Sequence, residues 1–260
     1  MGTTTRLDLE LVERGLARSR SHAQQQIAAG QVLVNGTVVS RAAEKVRPED
    51  VLVSGSDPYV SRAAHKLLGA LDDLSVTVSG RALDAGASTG GFTQVLLERG
   101  CSTVYAVDVG TAQLAPCLRA DPRVVVWDQT NLRDLELGHV GGEPVDLVVA
   151  DVSFISLLLL LERLFGVTAP GGHALPMVKP QFEVGRELLG KGGVVRSPAQ
   201  HREAIARVVE AARQLGWHAQ RVVPSRWPGP AGNVEYFVLF AMAPPRVGPD
   251  LDAAVQPRPS

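Results

Sequence analysis

The stretch LDAGASTGG, residues 83–91, decides the fold predicted for this chain. It follows the apolar run Arg81–Ala85 and leads into residues 91–99, whose apolar positions recur with helical spacing. A glycine-rich turn between a strand and a helix lets a ligand approach the backbone closely and directs helix N–H groups at it. The stretch therefore predicts a ligand-binding turn. Simple close packing of strand and helix is the alternative for such a turn taken alone.

The same turn argues against a dinucleotide cofactor. The dinucleotide fingerprint is GxGxxG, whereas GASTGG has alanine and serine where a pyrophosphate-binding turn needs its second glycine. Asp108 ends the next strand-like run, about twenty residues on, where a carboxylate accepts hydrogen bonds from a ribose diol. These features favour an adenosine-containing ligand without a diphosphate, such as S-adenosylmethionine. The predicted cofactor-binding residues are Asp84, Gly86, Ser88, Gly90, Gly91, Asp108, Asp128 and Asn131.

Strand-like and helix-like runs alternate around this turn. The strand-like runs are Arg81–Ala85, Thr103–Val107, Arg123–Trp127, Val145–Ala150, His173–Val178, His218–Val223 and Tyr236–Ala241. The helix-like runs are 60–73, 91–99, 155–166 and 198–215. Seven strands alternating with helices predict a doubly wound, Rossmann-like α/β sheet with both faces covered.

The first residues predict a separate small α+β domain. Residues 6–28 read as two short helices, and GQVLVNGTVVS reads as a hairpin with its turn at Asn35-Gly36. We predict domains at 1–55 and 61–243, a linker at 56–60, and a disordered, proline-rich tail at 244–260.

Composition narrows the class of protein. The chain has 260 residues, 45% of them apolar, and a formal net charge of −1, which gives no global attraction to nucleic acid or membrane. The longest apolar run is far shorter than the ~20 residues that cross a bilayer. No targeting pattern precedes the fold, so we expect a cytoplasmic protein. Two cysteines, Cys101 and Cys117, lack metal-ligand spacing, and we predict no metal site.

Charged residues follow the ends of buried strands. Asp151 follows VDLVVA, and Lys179 follows HALPMV. Because ligands bind beyond the carboxyl ends of parallel strands, both side chains should face one crevice. Glu235 joins them only if the last strand is antiparallel, and Lys66 precedes the first strand on a helix that can cross the same edge. Each of the four taken alone reads as a surface salt bridge.

Six stretches together resemble the TlyA family of ribosomal RNA 2′-O-methyltransferases, also labelled haemolysins. They are RLDLELVERGLARSR, VSRAAHKL, LDAGASTGGFTQVLLERG, LVVADVSFISL, VKPQFEVG and PGPAGNVEYF. The resemblance covers residues 6 to about 242. It implies an RNA-binding module like that of ribosomal protein S-four, joined to an FtsJ-like methyltransferase domain with a seven-stranded sheet and an antiparallel last strand.

The resemblance also implies a reaction. Lys66, Asp151, Lys179 and Glu235 match the Lys-Asp-Lys-Glu tetrad of 2′-O-methyltransferases, and the implied acceptor is the ribose of cytidine in ribosomal RNA. We expect Lys179 to be the base, the two carboxylates to orient it, and Lys66 to position or polarise the ribose. Since an ordinary lysine has a pKa of ~10.4, a lysine base needs surroundings that favour the neutral amine.

RNA binding must rest on local charge. The predicted RNA-binding residues are Arg6, Arg14, Arg18, Arg20, Arg62, Arg186, Lys191 and Arg196. Residues 1–55 hold seven basic against six acidic side chains, so a solvated helical face is the alternative there. Arg226 is a further candidate contact, and His201 and His218 read as surface or helix-end residues. We expect a monomer acting on ribosomal subunits, with no membrane as primary partner.

Two other functions remain open from sequence. A non-catalytic RNA-binding protein would be expected to have lost the glycine-rich turn or the tetrad, and both are present. A membrane-active cytolysin would need a membrane-inserting element, and no spanning helix or clear series of amphipathic barrel strands is predicted.

Overall fold

The computed structural model describes residues 4–55, 58–185, 189–190 and 192–256. The chain forms two compact units, Met1–Pro58 and Tyr59–Ser260. Each unit has its own hydrophobic core. The domain, linker and tail boundaries given above stay predictions, and the units are described separately below.

The first unit combines two helices with short strands. Its elements are β1 (Thr5–Arg6), α1 (Leu7–Glu13), α2 (Arg20–Ala28), β2 (Val32–Val34), β3 (Thr37–Val38), β4 (Lys45–Val46) and β5 (Leu52–Ser54). Ser19 caps α2 by accepting a hydrogen bond from the His22 N–H. Asn35 and Gly36 both have positive φ, as a two-residue hairpin turn between β2 and β3 requires. The predicted hairpin is therefore confirmed.

The second unit is built on one seven-stranded sheet. Its strands are β6 (Gly80–Ala85), β7 (Cys101–Val107), β8 (Val124–Trp127), β9 (Val145–Ala150), β10 (Thr168–Val178), β11 (His218–Pro224) and β12 (Tyr236–Ala241). Their spatial order is β8-β7-β6-β9-β10-β12-β11. In this sheet β12 runs in the direction opposite to that of the other six strands. The predicted α/β fold with an antiparallel last strand is confirmed.

Helices cover both faces of that sheet. They are α3 (Ala63–Leu74), α4 (Gly91–Glu98), α5 (Pro116–Arg119), α6 (Leu161–Gly166), α7 (Pro180–Glu183), α8 (Pro198–Gln214) and α9 (Leu251–Ala254). Neighbouring residues of a strand enter opposite cores, because strand side chains alternate between faces. Leu147 and Val149 pack with α3 and α4, whereas Val148 packs with α6 and α8. This two-sided burial explains the nearly continuous apolar strands.

Two predictions of secondary structure are wrong. Residues 155–166 do not form one helix: a 3₁₀ turn, Leu157–Leu159, precedes α6. Phe154 has φ +66° and is 92% exposed, and Ser156 caps the 3₁₀ turn, so the chain turns before the helix begins. The predicted disordered tail contains α9, because Leu251, Ala254 and Val255 pack against the sheet and α8.

Within the described residues, we find no helix with the length and apolar character needed to cross a membrane.

Candidate active site

The strand register brings the predicted catalytic residues to one edge of the sheet. Ala150 lies between Ala85 of β6 and Pro176 of β10, and Val178 pairs with Tyr236 of β12. Asp151 and Lys179 follow β9 and β10, and Glu235 precedes β12. Because β12 is antiparallel, its start lies at the edge where the parallel strands end.

The four residues form two separate ion pairs. Lys66 Nζ lies 2.6 Å from Glu235 Oε2, and both side chains are at least nine-tenths buried. Lys179 Nζ lies 2.6 Å from Asp151 Oδ1 and donates a hydrogen bond of 2.8 Å to Ser153 Oγ. The contact with Asp151 is an ion pair rather than a well-directed hydrogen bond. Each lysine thus has its own carboxylate.

A cleft of about 570 Å³ opens at this edge. Lys66, Asp151, Ser153 and Lys179 line it, together with residues 61–63 at the start of α3. The remaining lining residues are Gly86, Ala87, Ser88, Thr89, Phe92, Trp227, Pro228 and Pro230. Glu235 reaches the cleft through Lys66, since its own side chain is 1% exposed. The glycine-rich turn and the tetrad therefore share one cavity.

The glycine-rich turn needs its glycines. Gly86 has φ +87°, and a Cβ there would lie 2.8 Å from the Asp151 carbonyl oxygen. Gly90 has φ +96°, and a Cβ there would meet Leu118 Cδ1. A Cβ on Gly91 would lie 2.9 Å from the Ala64 backbone nitrogen. The turn therefore packs its backbone closely against β9 and α3, which leaves Gly86 at the surface of the cleft.

Asp108, predicted to bind a ribose diol, is fixed by backbone hydrogen bonds. Its Oδ2 accepts from the Ser88 N–H at 2.8 Å, and its Oδ1 accepts from the Gly110 N–H at 2.7 Å. Each carboxylate oxygen keeps a lone pair, and Asp108 is only half-buried. The residues present therefore fit a ribose at this position, and Ser88 fixes the carboxylate through its backbone.

Asp84, a predicted cofactor-binding residue, lies beneath the glycine-rich turn and not on the surface of the cleft. Its side chain is fully buried beneath the turn, where Oδ2 accepts from Thr93 Oγ1 at 2.6 Å. Burial raises the pKa of this carboxyl to about 7, against the opposing effect of the hydrogen bonds from Thr93. Oδ1 has no partner among the described residues. Asp84 therefore supports α4 from beneath the turn, and its predicted contact with the cofactor stays a prediction.

Asp128 and Asn131 are engaged by the protein itself. Asp128 accepts two hydrogen bonds from Arg119, at 3.0 and 2.7 Å. Asn131 caps the 3₁₀ turn Leu132–Asp134 by accepting from the Arg133 N–H. Their predicted contact with an adenine edge stays a prediction.

The predicted RNA-binding arginines of the first unit differ in their surroundings. Arg6 and Arg20 both donate to Asp8, which is fully buried. The hydrogen bonds from Arg6, and then those from Gln24 and Arg20, hold the pKa of the Asp8 carboxyl well below its usual range. Arg18 is exposed and has no side-chain partner in the part of the chain described. Arg6 and Arg20 thus keep part of each guanidinium at the surface, in fixed orientations.

Arg14 is held by hydrogen bonds inside the first unit. Its guanidinium donates to Glu10 and to the carbonyls of Arg47, Pro48 and Asp50. These bonds attach α1 to the turn before β5. Most of the donors of Arg14 are thus used inside the unit, and its predicted contact with RNA stays a prediction.

The remaining predicted RNA-binding residues lie in the second unit. Arg62 and Arg196 are exposed, and Arg62 lines the cleft. Arg226 forms an ion pair with Asp73 at 2.6 Å. Arg186 and Lys191 lie outside the described residues.

Glu183, within the stretch VKPQFEVG, has a structural role that the sequence does not predict. Its carboxylate is 4% exposed, and it accepts from Ser156 Oγ at 2.5 Å and from the Leu157 N–H at 2.8 Å. Burial raises the pKa of this carboxyl. Glu183 thereby joins the segment after Lys179 to the segment after Asp151. Its position four residues beyond Lys179 was the only available signal.

The structure gives Ser153 and His201 positions that the sequence did not predict. Ser153 was missed, although its place two residues after Asp151 at a strand end is a usable signal. His201 is not a surface residue: it is buried, with ring nitrogens 2.8 Å from Tyr236 Oη and from the Val195 carbonyl oxygen. It therefore supports the start of β12, next to Glu235.

The fold and the cleft define a class of enzyme. The chain has a seven-stranded sheet with one antiparallel strand and a glycine-rich turn without the dinucleotide pattern. These are features of an S-adenosylmethionine-dependent methyltransferase. The FtsJ-like methyltransferase family matches residues 59–242, and the S4 domain family matches residues 5–52.

Known relatives extend over nearly the whole chain. The 16S/23S rRNA (cytidine-2′-O)-methyltransferase TlyA of Mycobacterium tuberculosis is 50% identical over 92% of this chain and 90% of its own length. The 23S rRNA (cytidine-2′-O)-methyltransferase TlyA of Campylobacter jejuni is 32% identical over 88% of this chain and 96% of its own. A solved hemolysin-type structure from Streptococcus thermophilus has a TM-score of 0.76 and 35% identity, covering 98% and 95% of the two chains.

The chain belongs to the TlyA family of ribosomal RNA methyltransferases. Its cofactor is S-adenosylmethionine.

Proposed function

We propose that this protein methylates the 2′-hydroxyl of a cytidine ribose in ribosomal RNA, within a ribosomal subunit. The names of the Mycobacterium and Campylobacter relatives support the acceptor. One observation carries the mechanism: Lys179 Nζ is held at the cleft by two acceptors, Asp151 and Ser153. We further propose that the protein works as a monomer in the cytoplasm.

Lys179 is the base in this proposal. A neutral amine has two N–H groups and one lone pair. In this proposal one N–H donates to Ser153 Oγ, the amine stays beside Asp151, and the lone pair is directed to the cleft that Lys179 lines. A ribose hydroxyl becomes a competent nucleophile only when a base removes its proton.

Lys66 positions the ribose. Its ammonium is compensated by Glu235 on the buried side and faces the cleft on the other. A fixed cation there can donate hydrogen bonds to ribose oxygens and stabilise charge on the oxygen that loses its proton. Glu235 acts through Lys66, since its carboxylate lies behind it. The two carboxylates thus have separate tasks.

The cofactor would be held by the glycine-rich turn. When bound, S-adenosylmethionine supplies a methyl group on positively charged sulfur. We propose that Gly86, Ser88, Gly90 and Gly91 provide the close backbone approach and that Asp108 accepts from the ribose diol. Asp128 and Asn131 are proposed for the adenine edge. Asp84 would act from beneath the turn, by holding α4 in place.

RNA would be bound by arginines on both units. In the first unit we propose Arg6, Arg18 and Arg20, because their guanidinium groups reach the surface. In the second unit we propose Arg62 and Arg196, which are exposed. Guanidinium groups bind phosphate in a bidentate manner, which suits an RNA backbone.

The test is transfer of labelled methyl from S-adenosylmethionine to isolated small and large ribosomal subunits, followed by digestion to nucleosides. We expect the label in 2′-O-methylcytidine. Label in a methylated base, or in the ribose of another nucleoside alone, would contradict the proposal. So would a lack of transfer to both subunits by protein that binds the cofactor.

A further inference from the structure

Trp227 is a large aromatic side chain left half-exposed at the cleft. Its exposed fraction is 46%, and it lines the cavity together with Pro228 and Pro230. These residues belong to the segment between β11 and β12, which leads directly to Glu235. Neither the tetrad nor the cofactor site uses Trp227.

Trp227 is supported at its backbone and at its ring. Ser225 Oγ accepts from the backbone N–H of Trp227 at 3.2 Å and donates to the Trp227 carbonyl oxygen at 2.7 Å. The ring packs on His65 with 5.5 Å between centroids, and His65 in turn meets Tyr59 edge-on at 5.2 Å. A supported aromatic ring loses little conformational entropy when a second planar group stacks on it.

Trp227 lies on the acceptor side of the cleft. The glycine-rich turn, proposed for the cofactor, packs against the Asp151 carbonyl group and the first residues of α3. The segment 225–235 contacts α3 further along the helix, through Lys66 with Glu235 and through Arg226 with Asp73. The wall that contains Trp227 is therefore the one next to Lys66, where the acceptor ribose would be positioned.

The charge in the cavity that Trp227 lines suits a nucleotide. Arg62 lines the same cavity, and its guanidinium has no partner among the described residues. Arg226 is neutralised by Asp73, so Arg62 supplies the available positive charge. An aromatic face beside a guanidinium is the usual combination for one base and its phosphate in single-stranded RNA.

We propose that Trp227 stacks on a nucleobase of the ribosomal RNA strand bound in the cleft, with Arg62 meeting the phosphate of that strand. This subsite recognises the acceptor and makes no contact with the methyl donor. The inference rests on the proposed function for its substrate.

The test compares Trp227→Ala with Trp227→Phe, and uses Met242→Ala as the matched control. Met242 is 45% exposed and lies at the opposite end of β12 from Glu235. We expect Trp227→Ala to raise KM for the methylated subunit roughly 5- to 100-fold, the range for one base on an aromatic side chain. The kcat and the cofactor Kd should stay within about twofold. Trp227→Phe should stay within about threefold of wild type, since phenylalanine also stacks.

Three results would overturn the inference: an unchanged KM in Trp227→Ala, an equal rise in Met242→Ala, or a Trp227→Phe variant as impaired as the alanine. A failure of the proposed function is distinguishable, because it would appear in the wild type as cofactor binding without transfer. Quenching of tryptophan fluorescence by oligocytidylate then decides the stacking. Quenching that is lost in Trp227→Phe supports the inference, and quenching that is unchanged in that variant refutes it.

Discussion

Two fully buried aspartates have opposite protonation behaviour because their surroundings differ. Asp8 receives hydrogen bonds from Arg6, Gln24 and Arg20, which hold its pKa well below the usual range. Asp84 has one side-chain donor, Thr93, and burial raises its pKa to about 7. The charged form is stabilised in the first case and disfavoured in the second.

Asp84 should therefore make stability fall with rising pH. Between the ordinary carboxyl value of 3.8 and about 7, the folded state keeps a proton that the unfolded state has released. The free energy of unfolding then decreases as pH rises through that window. We expect Asp84→Asn to flatten this dependence. Urea unfolding followed by tryptophan fluorescence checks it, since all three tryptophans lie in the second unit. An equally steep pH dependence in the variant would rule it out.

Glu183 should act as a positioning residue. In Glu183→Gln, one amide group would oppose the Ser156 hydroxyl or the Leu157 N–H, so the segment after Asp151 would shift. Small displacements of catalytic groups cost up to ~100-fold in rate. We expect kcat to fall at least about tenfold, with KM for the subunit and cofactor Kd within about twofold.

The control for this prediction is Glu162→Gln, because Glu162 is an exposed glutamate at the start of α6. Steady-state methyl transfer with purified subunits measures both variants. Equal kcat values for the two would show that Glu183 has no positioning role.

At the scale of elements, sequence predicted the strands well and the connections poorly. Strands buried on both faces are apolar runs with clear ends, which local reading detects. The prediction of one helix over 155–166 failed because Phe154 adopts a left-handed backbone conformation and Glu183 accepts hydrogen bonds from Ser156 and Leu157. Glu183 is distant in the sequence, so local reading does not detect these bonds. The prediction of a disordered tail failed for a similar reason, because packing of α9 on α8 stabilises a helix in a proline-rich, polar sequence.

Position 86, in the turn after β6, should not tolerate a side chain. Gly86 and Gly142 have nearly equal φ, +87° and +85°, but a Cβ on Gly86 would meet the Asp151 carbonyl oxygen, while none lies within 4 Å at Gly142. We expect Gly86→Ala to weaken cofactor binding at least about tenfold and Gly142→Ala to leave it unchanged. Both carry the backbone strain of about 1 kcal/mol for alanine at positive φ. Calorimetric titration with S-adenosylmethionine measures the difference, and equal affinities would contradict the close approach.

At the scale of the whole molecule, the two units have separate cores. The core of the first unit is formed by residues between Leu7 and Val46. The cores of the second draw only on residues between Tyr59 and Val255. Each can therefore bury its apolar surface without the other.

We expect residues 59–260 alone to fold and bind S-adenosylmethionine within about threefold of the full chain. Its kcat/KM for ribosomal subunits should fall at least about tenfold, because Arg6, Arg18 and Arg20 are missing. Calorimetry and methyl transfer with the purified fragment test both parts. Transfer as efficient as that of the full chain would remove the first unit from RNA binding.

The sequence predicted the meeting of the tetrad better than the RNA surface. Asp151 and Lys179 lie at one edge because each follows a strand end, which the chain order reveals. Glu235 joins them because β12 is antiparallel, which the family resemblance implied. The use of Arg14 inside its unit could not be foreseen, because its acceptors are carbonyls of residues 47, 48 and 50. Every residue has a backbone carbonyl group, so the residue types do not show which carbonyls accept from Arg14.

The central claim is that Lys179 removes the proton from a ribose hydroxyl of ribosomal RNA. Single-turnover methyl transfer to the accepting subunit, by wild type and by Lys179→Met with saturating cofactor, tests it most directly. We predict a rate at least about 100-fold lower in the variant, as for loss of a general base, with unchanged cofactor affinity. A variant that forms 2′-O-methylcytidine at the rate of the wild type would contradict the account.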